Sequence, residues 1–185
     1  MNVLVVAAHP DDEALGCGGT IAKHIANGDN VTAIIMVEFI TSRGAAPPDK
    51  PYLSLKGYHR VFNSYPDQKL DTIPILEINQ FIEKWIRELK PTIVYTHSKN
   101  DANKDHQIVF EATLVACRPV PGASVKRLLS YEVPSSTEWG ATMFHPNVFS
   151  EIDYDKKIDI VEPYFGEMRL WPHPRSLTGI QVLAG

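Results

Sequence analysis

Short β-branched runs alternate along the chain with longer stretches in which apolar residues recur every three or four positions. Asn2 to Ala8 is an unbroken apolar run after its first residue, the pattern of a strand buried on both faces. Thr20 to Asn27 carries apolar residues at helical spacing and stops at Gly28, a natural C-cap. Asn30 to Val37 reads as a second Val/Ile-rich strand and Tyr58 to Tyr65 as a third. From Ile73 to Leu89 the residues Ile75, Ile78, Ile82, Trp85, Ile86 and Leu89 share one face of an amphipathic helix, which Pro91 stops. Thr92 to Thr96 is a fourth strand, followed by a polar loop and a helix from Asp105 to Cys117. Val125 to Val133 is a fifth strand, and the tail adds a helix over Ile152 to Met168 and the start of another at Ser176 to Ala184.

Strands separated by helices predict an α/β fold: a single Rossmann-like three-layer domain over residues 1–185, with a mainly parallel sheet covered by helices on both faces. Ligands in such sheets sit beyond the carboxyl ends of the strands, near the point where strand order reverses. His9 and the loop from His97 to His106 both fall at such ends, which joins them into one candidate site. Thr41 to Gly57 is the least regular stretch and reads as a mobile loop. It is short for a parallel crossover, which takes about a dozen residues and usually a helix. Only Leu53 to Lys56 could be helical there, so either the crossover is unusual or part of it, near 44–57, is missing. A C-terminal element beyond Gly185 is missing on the same reading.

Composition narrows the function. Apolar residues are 44% of the chain and charged residues 22%, a globular balance. The net charge of -4, with no Lys/Arg block, argues against a nucleic-acid partner. Cys17 and Cys117 make no disulfide framework, so a reducing cytoplasm is the expected location. No run is long and apolar enough to predict a membrane span, and the apolar N-terminus lacks a basic leader.

The chemistry concentrates in Ala8-His9-Pro10-Asp11-Asp12-Glu13. An imidazole and a cluster of carboxylates where a buried strand ends are costly without a cation, a proton or a substrate. His9, Asp12 and His106 can offer two nitrogens and one carboxylate oxygen, a set suited to a catalytic Zn²⁺ or another divalent transition metal with one position open. With Asp12 on the metal, Asp11 is left to act as general base. The bland alternatives are carboxylates at the positive end of a helix dipole and an N-capping Asp105.

These motifs resemble the LmbE-like (PIG-L type) deacetylases, zinc-dependent enzymes acting on N-acetylglucosamine-bearing substrates. The resemblance runs through the first strand with Ala8 to Glu13, Thr41-Ser42-Arg43-Gly44, Tyr65-Pro66-Asp67, Pro91 to His97, Asp101 to His106, Tyr131 to Ser136 and Pro172 to Ser176. It implies His9, Asp12 and His106 as zinc ligands, Asp11 as general base, Arg43 as a loop arginine on sugar hydroxyls and Asp67 as a residue facing the substrate. It implies an amino-sugar conjugate as the small-molecule partner, and its members often assemble as homo-oligomers. The family's second motif is His-x-Asp-His, whereas this chain reads Asn103-Lys104-Asp105-His106. Asn103 can donate a hydrogen bond to a developing oxyanion but cannot carry charge or move a proton. Asp105 orients Asn103 or a ligand, or caps the helix. His97 reads as a histidine hydrogen-bonded at a strand end, and Glu13 as a residue that orients its neighbours. His173 and Arg175 read as parts of a Pro-flanked turn, Trp85 and Trp171 as packing residues, and Trp139 as a loop residue that could line a sugar pocket. The expected reaction is hydrolysis of an acetamide. Rivals are hydrolysis of another amide or C–N bond, and a sugar-binding domain whose catalysis is impaired.

Overall fold

The computed structural model describes residues 1–38 and 57–184. The expectations placed on 39–56, namely Arg43, the mobile loop and the short crossover, lie outside the described residues, as does Gly185. The elements run β1 (Asn2–Ala7), α1 (Asp12–Ala26), β2 (Asn30–Ile35), β3 (Tyr58–Phe62), α2 (Ile75–Leu89), β4 (Ile93–His97), α3 (Lys104–Ala116), β5 (Arg127–Tyr131), α4 (Tyr154–Val161) and α5 (Leu177–Ala184). The five strands form one sheet in the order β3-β2-β1-β4-β5, and every pairing is parallel.

The period-two geometry of β1 explains why it is apolar throughout. Val3 and Val5 join β2 residues Val31 and Ala33 against Leu15 and Ile21 of α1, Ile160 and Val161 of α4 and Ile180 of α5. Leu4 and Val6 face the other way and pack with Val94 against Ile78 and Ile82 of α2 and Ile108, Val109 and Ala112 of α3. Both faces of the strand are therefore covered, which demands side chains such as Val and Leu at every position. Each fully buried side chain of this size contributes about 1.5–3 kcal/mol. A carboxylate at Val5, which is fully buried, would remove that contribution and bury an unpaired charge.

Two helical expectations change. Helix α1 begins at Asp12, eight residues before Thr20. The Gly16-Cys17-Gly18-Gly19 stretch, poor in helix propensity, lies inside it because neighbours come too close for larger residues. A Cβ on Gly16 would stand 2.3 Å from the Tyr131 ring, and one on Gly19 2.5 Å from Ile152. The tail helix read over Ile152 to Met168 is instead α4 followed by a 3-10 turn over Glu162–Glu167. Pro163, lacking an N–H, and Gly166 do not extend the α-helix. Trp171, expected to pack, is 60% exposed on the surface loop after that turn, whereas Trp85 packs against the core.

Strand order reverses at the β1–β4 junction: β2 and β3 lie to one side of β1, while β4 and β5 lie to the other. The carboxyl ends of β1 and β4, where His9 and His97 stand, flank that switch point.

Candidate active site

Beyond Ala7, the last residue of β1, the chain turns through Ala8, His9 and Pro10 and enters α1 at Asp12. Asp11 occupies the N-cap position with a φ of 104°, a left-handed conformation that short polar side chains tolerate best among non-glycine residues. The turn is closed by the His9 N–H, which donates to Asp12 Oδ2 at 2.8 Å. On the facing strand, α3 opens behind Asn103, whose side-chain oxygen accepts from Asp105 N–H at 2.9 Å. That cap sets Asp105 and His106 in the first turn, pointing into the space beside β1.

Three atoms converge there. His9 Nδ1 lies 3.2 Å from Asp12 Oδ2, His106 Nε2 lies 3.1 Å from the same oxygen, and the two nitrogens are 3.3 Å apart. Tetrahedral ligands at zinc bond lengths are separated by about 3.3 Å, so the triangle has the dimensions of one face of such a site. The remote nitrogen of each histidine meets a carboxylate. His9 Nε2 lies 3.0 Å from Asp105 Oδ2, and His106 Nδ1 lies 3.1 Å from Asp101 Oδ2. Donation of those N–H protons fixes the tautomers that leave Nδ1 of His9 and Nε2 of His106 as lone-pair donors. The residues present fit a divalent metal.

The carboxylates are held in turn. Asp105 Oδ1 accepts from Leu70 N–H at 3.1 Å. Asp101 accepts from Thr137 Oγ1 at 2.6 Å, from the Asn103 N–H at 2.8 Å, and from Ser136 Oγ. Asp67 Oδ1 is 3.5 Å from His9 Nε2, and the Gln68 amide is 3.2 Å from the same nitrogen. Asp67, Asp105 and His9 Nε2 thus form a second group of metal-type donors. Its nitrogen is the one that orients His9, so the triangle on Nδ1 is the better candidate for the ion.

His97, wholly buried at the end of β4, accepts the Ala8 N–H on Nε2 at 2.8 Å and stacks on His106 with ring centroids 4.0 Å apart. Burial and the neighbouring His106 hold its pKa well below 6.5, so it is a neutral wall for the His106 ring. Glu13 turns away from the triangle and accepts from the hydroxyls of Tyr164 at 2.6 Å and Tyr58 at 3.2 Å.

Without an ion the triangle holds protons. Burial opposes charge on His9, but hydrogen bonds to Asp105 and Asp12 outweigh it and push its pKa up to about 10. His106 is likewise opposed by burial and raised to about 9 by Asp12 and Asp101. Asp12, despite burial, is held well below the usual carboxylate range by His106 and His9. Asp11 differs: burial, with Asp12 and Glu13 adding to it, lifts it to about 7 against the pull of Arg175.

The sequence-derived residues His9, Asp11, Asp12, Asp67, Asp105 and His106 all come together at this end of the sheet. Asp105 contacts His9 and not Asn103, and Asn103 is the helix cap. Two groups were missed. Asp101 had a signal only in its place within the Asp101–His106 motif. Arg175, read as part of a turn, donates from Nη1 to Asp11 Oδ2 at 2.8 Å across 164 positions, a pairing that no local pattern announces.

The family model described as PIG-L: GlcNAc-PI de-N-acetylase matches this chain over residues 4–57 and 51–117. The uncharacterized deacetylase YaiS of Escherichia coli K12 is 29% identical over 163 residues, which is 82% of each chain. Among solved structures, the conserved protein TT1542 from Thermus thermophilus superposes with a TM-score of 0.72 at 22% identity, covering 97% of this chain and 83% of that one. GalB, the 4-carboxy-2-hydroxymuconate hydratase of Pseudomonas putida KT2440, superposes with a TM-score of 0.70 at 18% identity, covering 99% and 84%. The two superpositions establish the shared fold, and the matched span, which contains β1 from Leu4 onward with its His-Pro-Asp-Asp turn and the whole Asp101–His106 motif, establishes the family. The chain belongs to the PIG-L family of de-N-acetylases.

Proposed function

We propose that the protein is a metal-dependent deacetylase that hydrolyses the acetamide of an N-acetylglucosamine-type conjugate. The observation that carries this reading is the triangle of His9 Nδ1, Asp12 Oδ2 and His106 Nε2 with edges of 3.1 to 3.3 Å, with Asp11 next in sequence to one of its corners. A divalent ion in that triangle, zinc or another transition metal, supplies acidity to water and polarises a carbonyl.

The chain's own residues supply the rest. Asp11, buried beside the triangle, takes a proton from the attacking water and returns it to the departing amine. Asp101 and Asp105 keep the two ligand histidines in the tautomer and orientation that expose a lone pair. Asn103 spends its carbonyl oxygen on the α3 cap, which leaves its NH₂ as the neutral donor toward the developing oxyanion. On this reading Arg43 contacts sugar hydroxyls and Asp67 faces the substrate. The free thiols of Cys17 and Cys117 suit a reducing cytoplasm, and no helix among the described residues is long and apolar enough to cross a membrane. A homo-oligomer is part of the same proposal.

The decisive assay is acetate release from a panel of N-acetylglucosamine conjugates by the metal-loaded protein. Wild type releases acetate, while Asp11→Asn keeps its metal and loses about 10²–10⁴ in rate. A second reading is favoured by the hydratase that shares the fold: the site acts on a bond other than an acetamide. No acetate from any conjugate, with one metal bound, would select it.

A further inference from the structure

The Asp11 carboxylate is held from outside its own loop. An Asp at a helix N-cap ordinarily accepts from an N–H of the first turn, but the Asp11 side chain makes no such bond. It meets the Arg175 guanidinium instead, with Nη1 to Oδ2 at 2.8 Å and both side chains buried. Arg175 is itself fixed on its other edge: Nε donates to Ser135 Oγ at 2.7 Å and to the Pro134 carbonyl at 3.3 Å. Its backbone N–H donates to His173 Nδ1 at 3.1 Å, and its carbonyl accepts from Arg169 N–H at 3.3 Å. The tail loop is thereby folded back on itself with one cation turned inward.

Pro134 and Ser135 belong to the loop after β5 whose next two residues, Ser136 and Thr137, hold Asp101 and through it His106. One loop therefore sets both a candidate metal ligand and, by way of Arg175, the carboxylate beside it. Asp11, Asp12 and Glu13 are three consecutive buried carboxylates. A fixed cation beside such a carboxylate offsets its repulsion from the neighbours and sets its direction. Arg175 does this for Asp11, and its planar fork fixes direction as well as charge.

We propose that Arg175 is a positioning residue for the reaction, aiming the Asp11 carboxylate at the atoms with which it exchanges a proton. The inference rests on the deacetylase reading above. It makes the tail loop a working part of the site.

The test is steady-state acetate release by the metal-loaded wild type, Arg175→Ala, Arg175→Lys, Asp11→Asn and the Asp11→Asn/Arg175→Ala double variant. Arg175→Ala is expected to lower kcat about 10²-fold with KM within about 3-fold of wild type, since the lost interaction serves proton transfer and not substrate binding. Guanidinium ion added to that variant is expected to restore part of kcat. Arg175→Lys, which keeps the charge but loses the fork, falls in between and serves if Arg175→Ala does not fold. In the Asp11→Asn background, removing Arg175 is expected to change kcat by less than about 2-fold, because its effect runs through Asp11. Wild-type kcat in Arg175→Ala, or an equal loss with and without Asp11, would overturn the proposal while leaving the deacetylase reading intact. A wild type that releases no acetate would instead overturn that reading, and the proposal with it.

Discussion

His9 Nδ1 and His106 Nε2 stand 3.3 Å apart, with Asp12 Oδ2 about as far from each, although 97 positions separate the two histidines. Two imidazole nitrogens this close, both turned toward one carboxylate oxygen, hold either protons or a metal ion. With pKa values raised to about 10 and about 9, His9 and His106 favour the protonated forms at neutral pH when no ion is present. Because a metal needs their lone pairs, binding must expel protons. At pH 7 about one to two protons per ion should be released, and apparent affinity should rise at least about tenfold per pH unit between pH 6 and 8. Calorimetry in buffers of different ionisation heat reads both quantities. Affinity that ignores pH would contradict the triangle as the binding site.

Asp101 and Asp105 meet His106 and His9 at the ring nitrogens remote from the triangle. Asp101→Asn or Asp105→Asn should keep the fold and weaken metal affinity by about 10–100-fold each, measured by competition with a chelating dye. Asp101 should also be the more sensitive to its supports. Thr137→Val, which deletes the 2.6 Å donor to its carboxylate, is expected to weaken metal binding in the same direction. Unchanged affinity in both Asp variants would remove them from the account.

Gly16 marks a place where packing dictates sequence. Its missing Cβ leaves room for the Tyr131 ring, whose hydroxyl donates to the Val6 carbonyl at 3.1 Å. Gly16→Ala should therefore destabilise the protein by about 1–3 kcal/mol, despite the better helix propensity of alanine. Denaturant melts of the two proteins check this. A more stable Gly16→Ala would show that the ring moves aside without cost.

The same residue shows what a linear reading could and could not find. Strand β1 and helix α2 were legible because burial on two faces, or on one, imposes a run or a period on the sequence itself. The first half of α1 was not, because its glycines answer to Tyr131 and Ile152, which come from elsewhere in the chain. In the site, His9, Asp12 and His106 were legible because each follows a strand or opens a helix at the sheet's carboxyl edge. Asp105 was singled out with Asn103, a ligand or the helix end as alternatives, and only its contact with His9, which spans 96 positions, decides among them. Arg175 was set aside as part of a turn for the same reason: its role depends on a contact made only when the tail folds over Asp11. Asp67 was placed toward the substrate by resemblance, and lies within 3.5 Å of His9 Nε2, on the side away from the triangle.

The most direct test of the central claim, that His9, Asp12 and His106 hold a divalent metal, is elemental analysis of purified wild type and His106→Ala in parallel. About one ion per chain is expected in wild type and its loss in the variant, with both proteins folded. No metal in either protein, and none gained when zinc is added, would contradict the claim.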